Sequence, residues 1–333
     1  MSDHVDLAVS AVARPSGPTI DIVIVNWNTG DALRACLQSI ADGADGVLVS
    51  RVVVVDNAST DDSMAQALRA APSIEVVHNE VNRGFGAACN QGASGSRADY
   101  LLFLNPDTKL EADTLRHTLT FLEAEAQRDV GICGIRLEGD DGHATTSAAR
   151  FPSPRVIFGQ ATGLARWLPG LFPRHLLTAE ECAGTRDVDQ VIGAYFMMRR
   201  SLFDLLQGFD ERFFVYFEEV DLSFRAKLAG YRSVFFHGAK AYHKGGLSSD
   251  QVKSARLFYS LRGRLLYAWK HFSWTRAWAV MAITFGLEWP ARLVAAAFTG
   301  GTALSETAAA YRRLVAFVTS PGWRTSLDVQ RRP

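Results

Sequence analysis

Along residues 19 to about 136 the hydrophobic positions follow two alternating patterns. Unbroken apolar runs occur in IDIVIVNWN, RVVVVD, IEVVHN, DYLLFLNPD and VGICGIRLE, and segments with apolar residues three or four apart separate them. Runs without polar alternation suit strands covered on both faces, as in the parallel sheets of α/β proteins. Leu33, Cys36, Leu37 and Ile40 mark one face of an amphipathic helix between the first two runs, and Glu111 to Gln127 predict another after the fourth. The alternation predicts a mostly parallel sheet flanked by helices.

Between Glu138 and Asp187 the pattern dissolves into Gly, Pro and Arg, as in GDDGHATTSAARFPSPR and RWLPGLFPRH, so no regular element is predicted there. Loops of that length are usually functional or mobile. Order returns over residues 188–246, which read as strand, helix, extended segment, helix and strand. Beyond Gly246 the chain reads as helical almost to its end. The expected organisation is a disordered leader (1–18), a catalytic domain (19–246, with halves meeting near 136) and a helical C-terminal extension (247–333). No internal repeat or low-complexity tract is present.

A chain of 333 residues is ample for a large buried core, and 48% hydrophobic with 21% charged residues reads as globular. Lys plus Arg and Asp plus Glu number 35 each, so no overall positive field points to nucleic acid. The four cysteines, Cys36, Cys89, Cys133 and Cys182, are far apart, without a CxxC pair, and read as reduced thiols. The N-terminal stretch lacks the basic start and long apolar core of a signal peptide, which predicts a cytosolic protein or one on the cytosolic face of a membrane. Oligomeric state leaves no signal in the pattern.

The ends of the apolar runs are polar, and in open α/β sheets the carboxyl ends of strands line the ligand crevice. The first run ends in Asn26-Trp27-Asn28 and the second in Asp56-Asn57-Ala58-Ser59-Thr60. The third leads to Asn82-Arg83-Gly84-Phe85-Gly86, and the fourth ends in Asn105-Pro106-Asp107. Together they would set an aromatic ring, amides, a guanidinium and two carboxylates around one pocket, a set suited to a base, a ribose and a diphosphate. Taken singly each has a plain explanation: Asp56 would cap a helix starting near Ser59, and NRGFGAACNQG would be a packing turn as readily as a phosphate loop. It is not GxGxxG and follows the third strand, which argues against a dinucleotide-binding dehydrogenase.

In order, VNWN, VVDNAST, NRGFGAACNQG, LFLNPD, GAYFMMRR, FDERFFVYFEEVDLSFRAKLAG and YHKGG resemble the family 2 glycosyltransferases of GT-A fold, and within them the bacterial rhamnosyltransferase-like enzymes. The resemblance spans roughly Ile20 to Gly246. It implies an inverting transferase that moves a sugar from a nucleoside diphosphate donor, dTDP-rhamnose first, to a lipid-linked or polysaccharide acceptor in cell-surface polysaccharide assembly. Alternatives are a UDP-hexose or UDP-galactofuranose donor, or a catalytically silent nucleotide-sugar-binding subunit.

Carried over residue by residue, Asp56 is similar to the carboxylate that reads the pyrimidine base, with Asn26, Trp27 and Asn28 lining that end, and Asn82, Arg83 and Gly84 would lie near the diphosphate. Asn105-Pro106-Asp107 stands where the family has an Asp-X-Asp metal motif, and the first carboxylate is here an amide. Only Asp107 is then a strong ligand, so diphosphate oxygens, waters and one more side chain must complete the shell. His243 is the matching candidate, and an imidazole beside oxygens favours Mn2+ somewhat over Mg2+. Gly193 and Ala194 would leave room for the hexose, while the Met197-Met198 pair reads as core.

Carboxylates at a helix N-terminus are favoured whatever their function, and FEEVDLSFR fits that description. Inverting transfer also needs a carboxylate to take the acceptor proton. The resemblance assigns that role to Glu219, with Glu218 orienting its neighbours and Asp221 supporting the site or touching the acceptor. Beyond Gly246, Lys253, Arg256, Arg262, Arg264, Lys270 and Arg276 interleave with aromatic residues and no carboxylate. Such a helix either lies on a membrane surface or packs on the catalytic domain with a solvated basic side. The apolar stretch Ala277 to Leu287 is bounded by charges and reads as too short to span a bilayer, so peripheral attachment at the inner membrane is expected.

Overall fold

The computed structural model describes residues 17–245 and 253–323. The leader expected over 1–18 therefore falls almost wholly outside the described residues, as does the expected boundary at Gly246.

The first unit alternates as expected: β1 (Thr19–Asn26), α1 (Asp31–Gly43), β2 (Leu48–Asp56), α2 (Ser63–Ala70), β3 (Glu75–His78), α3 (Phe85–Ala93) and β4 (Tyr100–Leu104). These four strands are parallel. There follow β5 (Thr108–Leu110), α4 (Thr114–Glu123) and β6 (Val130–Glu138). The helix expected over 111–127 is thus shorter, because Ala124 turns extended and a 3-10 turn, Glu125–Gln127, completes the span.

The stretch without a predicted element holds β7 (Ala148–Ala149), α5 (Pro154–Thr162) and α6 (Leu164–Trp167), followed by β8 (Arg186–Val188). Then come β9 (Gln190–Val191), β10 (Tyr195–Arg199), α7 (Arg200–Leu205), α8 (Glu218–Leu228) and β11 (Arg232–His243). The main sheet runs β3-β2-β1-β4-β10-β6-β11-β5, with β8 on β11. β10 enters antiparallel between β4 and β6, which makes the sheet mixed.

The unbroken apolar runs have a direct cause. Ile22, Ile24, Val54, Leu102 and Met197 face one buried cluster with α1, and Val23, Val55, Leu101, Phe103 and Met198 face another with α3 and α8. Period-two alternation therefore feeds two cores, and each fully buried aliphatic side chain contributes about 1.5–3 kcal/mol. The Met pair is core on both faces, as expected.

This topology gathers one set of ends. The carboxyl ends of β1 to β4 share an edge, the start of antiparallel β10 reaches it, and β11 finishes there against β5 with His243 opposite Thr108.

The C-terminal region comprises α9 (Lys253–His271), α10 (Trp274–Ala282), a π-helical stretch (Ile283–Glu288), α11 (Trp289–Thr299) and α12 (Gly301–Thr319). α9 packs on the sheet-bearing unit. Lys270 Nζ lies 2.7 Å from both Asp210 and Asp221, Arg264 pairs with Glu288, and Arg262 lies over the Phe317 ring. Arg262, Arg264 and Lys270 therefore do not lie on the solvated stripe that their sequence suggests, Arg264 and Lys270 finding their carboxylates on other segments, whereas Arg256 is exposed; the side chain of Lys253 lies outside the described residues. The expectation that Ala277–Leu287 is too short is also corrected. Glu288 does not end the helix, because Arg264 and Arg292 neutralise it, and α10, the π stretch and α11 run on as one 26-residue helix, Trp274–Thr299, whose most apolar 18-residue window has a mean hydropathy of 1.3. At 1.5 Å per residue such a helix is about 39 Å long, enough by length to cross a bilayer.

Candidate functional site

At the carboxyl end of β1 Asn26 is fully buried and is a brace. Its Nδ2 lies 3.1 Å from Asp56 Oδ1, 3.0 Å from Ser59 Oγ and 2.9 Å from Ser63 Oγ. Asn28 stitches the same loops: its backbone N–H donates to Ser59 Oγ (3.1 Å) and its Oδ1 accepts from the Thr60 N–H (2.7 Å). It does so at φ +52°, a conformation that Asn tolerates better than most residues. Trp27 beside it is half-buried. Asp56 does not cap a helix, since α2 begins seven residues later at Ser63. Its carboxylate is aligned by Asn26, with Oδ2 3.5 Å from His78 Nδ1.

The Asn82–Gly86 turn is held by amides at the strand ends. Buried Asn57 donates to Gly84 O (3.1 Å) and accepts from the Arg83 N–H (3.2 Å) and from Asn79 (2.9 Å), which also exchanges bonds with Gln91. Asn82 Oδ1 accepts from the Gly84 N–H (2.9 Å). The close approach that Gly84 permits is to protein: at φ +88°, a Cβ there would stand 2.3 Å from Phe214 O. On that side the space is taken by the 213–217 segment, to which Phe85 N–H donates (2.7 Å). Arg83 is exposed, and no side-chain partner for it occurs among the described residues.

The Asn105-Pro106-Asp107 turn closes on itself, Thr108 N–H donating to Asn105 O (3.1 Å). Ala194 braces it from β10, its carbonyl accepting from the Asn105 N–H (3.0 Å) and from Thr108 Oγ1 (3.3 Å). The Ala194 methyl packs in the core, so the room expected from it for a sugar is not there; a Cβ at Gly193, by contrast, would meet nothing within 4 Å. The β5–β11 pairing brings His243 Nε2 to 3.4 Å from Asp107 Oδ1 and 3.5 Å from Asn105 Nδ2. One carboxylate, one imidazole and an amide meet there, and no group of three or more His, Cys, Asp or Glu forms a cation cage among the described residues. That donor set fits a divalent cation most of whose ligands come from a bound diphosphate and water.

α8 starts abruptly. Tyr216 (φ +66°) and Phe217 (φ +73°) both take the left-handed conformation, unfavourable for aromatic residues, and Glu218 follows. Gly263 of α9 permits this turn, since a Cβ there would lie 2.9 Å from Tyr216 O. Phe214 stacks on Tyr259 at 4.5 Å. The two acids then diverge. Glu218 is 4% exposed and turns toward α3, where a Cβ on Gly86 would lie 3.5 Å from its own, while Glu219 stays partly exposed. Each has one buried carboxylate oxygen without a hydrogen-bond partner. Burial, then the neighbouring Glu219, push the Glu218 carboxyl well above the usual carboxylate range, and burial raises Glu219 too. Desolvation thus outweighs the favour of the helix terminus.

Asp221 is fully buried and serves as support. It accepts from Arg225 Nε (2.8 Å), pairs with Lys270 and lies 2.6 Å from His271 Nε2. Against the cost of burial, His271, Arg225 and Lys270 hold its carboxyl below its ordinary value.

A mixed sheet with donor-type loops at its carboxyl edge, an Asp–His pair and a carboxylate-bearing helix N-terminus is the GT-A glycosyltransferase architecture. Residues 21–206, more than half of the chain, match glycosyl transferase family 2, and the chain belongs to that family. It is 27% identical over 275 residues to the N-acetylglucosaminyl-diphospho-decaprenol L-rhamnosyltransferase of Mycobacterium tuberculosis (strain ATCC 25618 / H37Rv), covering 78% of this chain and 87% of that one. Over 119 residues, 34% of this chain and 46% of the relative, it is 33% identical to a PGL/p-HBAD biosynthesis glycosyltransferase of Mycobacterium bovis (strain BCG / Pasteur 1173P2). Two solved structures share the fold. One is the mannosyltransferase PcManGT of Pyrobaculum calidifontis in complex with GDP-Man and Mn2+ (18% identity, TM-score 0.52, 94% of this chain and 84% of that one). The other is GalNAc-T7 with UDP, GalNAc and Mn2+ (16% identity, TM-score 0.57, 78% and 49%).

Proposed function

We propose that the protein is an inverting rhamnosyltransferase that takes dTDP-rhamnose as donor and a polyprenyl-diphosphate-linked sugar as acceptor. Similarity along 87% of the mycobacterial rhamnosyltransferase supports the donor and acceptor classes. The observation that carries the reading is the convergence of Asp56, the Asp107–His243 pair and the N-terminus of α8 on one sheet edge.

Asp56, held by Asn26, accepts a hydrogen bond from the pyrimidine base, with Trp27 and Asn28 beside it. Arg83 meets the diphosphate, and Gly193 leaves space for the sugar. Asp107 and His243 would hold Mn2+ or Mg2+, which supplies positive charge to the departing diphosphate. Glu219 takes the proton of the acceptor hydroxyl as its oxygen bonds to the anomeric carbon and the bond from that carbon to the diphosphate oxygen breaks. The nucleoside diphosphate leaves with the bonding pair, and the anomeric configuration inverts.

A thermal-shift panel of dTDP-, UDP- and GDP-sugars with Mn2+ tests the donor. The dTDP-sugar is expected to stabilise most, by an amount that grows with ligand concentration over its dissociation constant. Asp107→Ala and His243→Ala should each lose the metal-dependent part of the shift and keep the ligand-free melting temperature. A larger shift with a UDP-hexose would transfer the reading to that donor, and full transfer in EDTA would remove the metal from it. Asn105 at the metal turn motivates the rival of a silent nucleotide-sugar-binding subunit, which would bind donor yet never hydrolyse it.

A further inference from the structure

The helix Trp274–Thr299 contains one acid, Glu288, and two basic residues, Arg276 and Arg292. Glu288 is buried and paired with Arg264, while Arg276 and Arg292 are exposed. Every fourth residue from Trp274 to Phe298 is exposed and none of them is charged. Trp274 (67% exposed) and Trp278 lie at one end of this line, Val294 and Phe298 (87% exposed) at the other, with small residues between. In a regular α-helix a step of four residues drifts about 40° around the axis. The π stretch Ile283–Glu288, whose turns take more residues, recovers part of that drift and keeps the line on one side.

The opposite side is protein-facing. Val280, Phe285 and Trp289 pack with Tyr311 and Leu314 of α12 and with Leu265 of α9. A helix with a buried ion pair on one side cannot be surrounded by lipid, so its length does not make it a span. We propose that this helix lies in the plane of an anionic membrane surface, its Trp274–Phe298 line seated among the headgroups. Three features select a lipid surface: tryptophan at the end of the apolar line, two exposed arginines elsewhere on the same helix, of which Arg292 is paired with Glu288, and the absence of an exposed carboxylate on the helix. In α9, the segment with the stronger basic pattern in sequence, Arg262, Arg264 and Lys270 are turned to internal partners. The inference rests on the proposed lipid-linked acceptor for its purpose, since it would hold the site beside a membrane-bound substrate.

The test is co-sedimentation of the full chain with equimolar phosphatidylglycerol and phosphatidylcholine vesicles, and with phosphatidylcholine alone. Wild type should bind the anionic vesicles more tightly and lose binding as salt rises. Phe298→Glu, alone and with Trp274→Glu, should lower the partition by roughly tenfold or more, with melting temperature and donor hydrolysis unchanged. Leu205→Glu, at an exposed leucine of α7, should behave as wild type. The inference is overturned if wild type binds no vesicles or if both Phe298 variants bind normally. It is also overturned if sedimentation velocity without lipid finds a dimer that Phe298→Glu dissociates, because the occupant is then a second copy. Lost vesicle binding with intact donor hydrolysis would leave the proposed reaction standing, and absent hydrolysis with intact vesicle binding would do the reverse.

Discussion

Glu218 and Asp221 lie three residues apart in the first turn of α8 with opposite surroundings, and pH separates their roles. A carboxyl whose folded-state pKa lies above its unfolded value holds its proton more tightly when folded, so stability falls as pH rises from the ordinary carboxylate range through the raised value. Charged Glu218 therefore costs stability near neutrality. Glu218→Gln is expected to raise the melting temperature there, with the gain vanishing below about pH 4, the ordinary carboxylate range. Melting curves across pH check this, and the absence of a gain would mean that a partner compensates the buried charge. Asp221 has the opposite sign: its stabilisation is present above the unfolded value and is lost as pH falls toward the depressed folded one. Asp221→Asn should thus destabilise by about 3–5 kcal/mol near neutrality, the usual cost of removing one partner of a buried ion pair, and by less in acid. The amide braces at Asn26, Asn57 and Asn79 were beyond sequence reading, because their role depends on which loops the sheet order sets side by side.

At the scale of elements, the strands and the polar loops at their ends were legible, since unbroken apolar runs demand cover on both faces and polar residues gather where cover stops. α5 was missed although it carries its signals: Ser153 at the N-cap accepts from the Val156 N–H (3.2 Å), Pro154 opens the first turn, and Gly163 ends the helix at φ +74°. Its apolar face was hidden by flanking Gly, Pro and Arg. The dependence of α8 on α9 could not be read either, because Gly263 looks like an ordinary weak point in a helix. Gly263→Ala should gain intrinsic helix stability of about 1 kcal/mol yet lower the melting temperature, since its Cβ would press on Tyr216 O and overpacking costs about 1–3 kcal/mol. With the turn ahead of Glu219 displaced, kcat should fall while donor binding holds. A melting scan beside steady-state kinetics reads both, and a stabilised variant with normal kcat would show that α9 is merely adjacent.

For the whole molecule, the proposed donor loops, metal pair and base come from segments spread from Asn26 to His243, and one sheet edge collects them. The order of motifs made the family readable, and the two C-terminal corrections arose because charge neutralisation between distant helices leaves no local trace. The central claim is that Glu219 drives an inverting transfer from a nucleoside diphosphate sugar. A proton-NMR time course of dTDP-rhamnose with a polyprenyl-diphospho-sugar acceptor, run with wild type and Glu219→Gln, tests it most directly. The account predicts a product of inverted anomeric configuration, formed about 10²–10⁴-fold more slowly by the folded variant. A retained configuration, or a Glu219→Gln enzyme as fast as wild type, would contradict it.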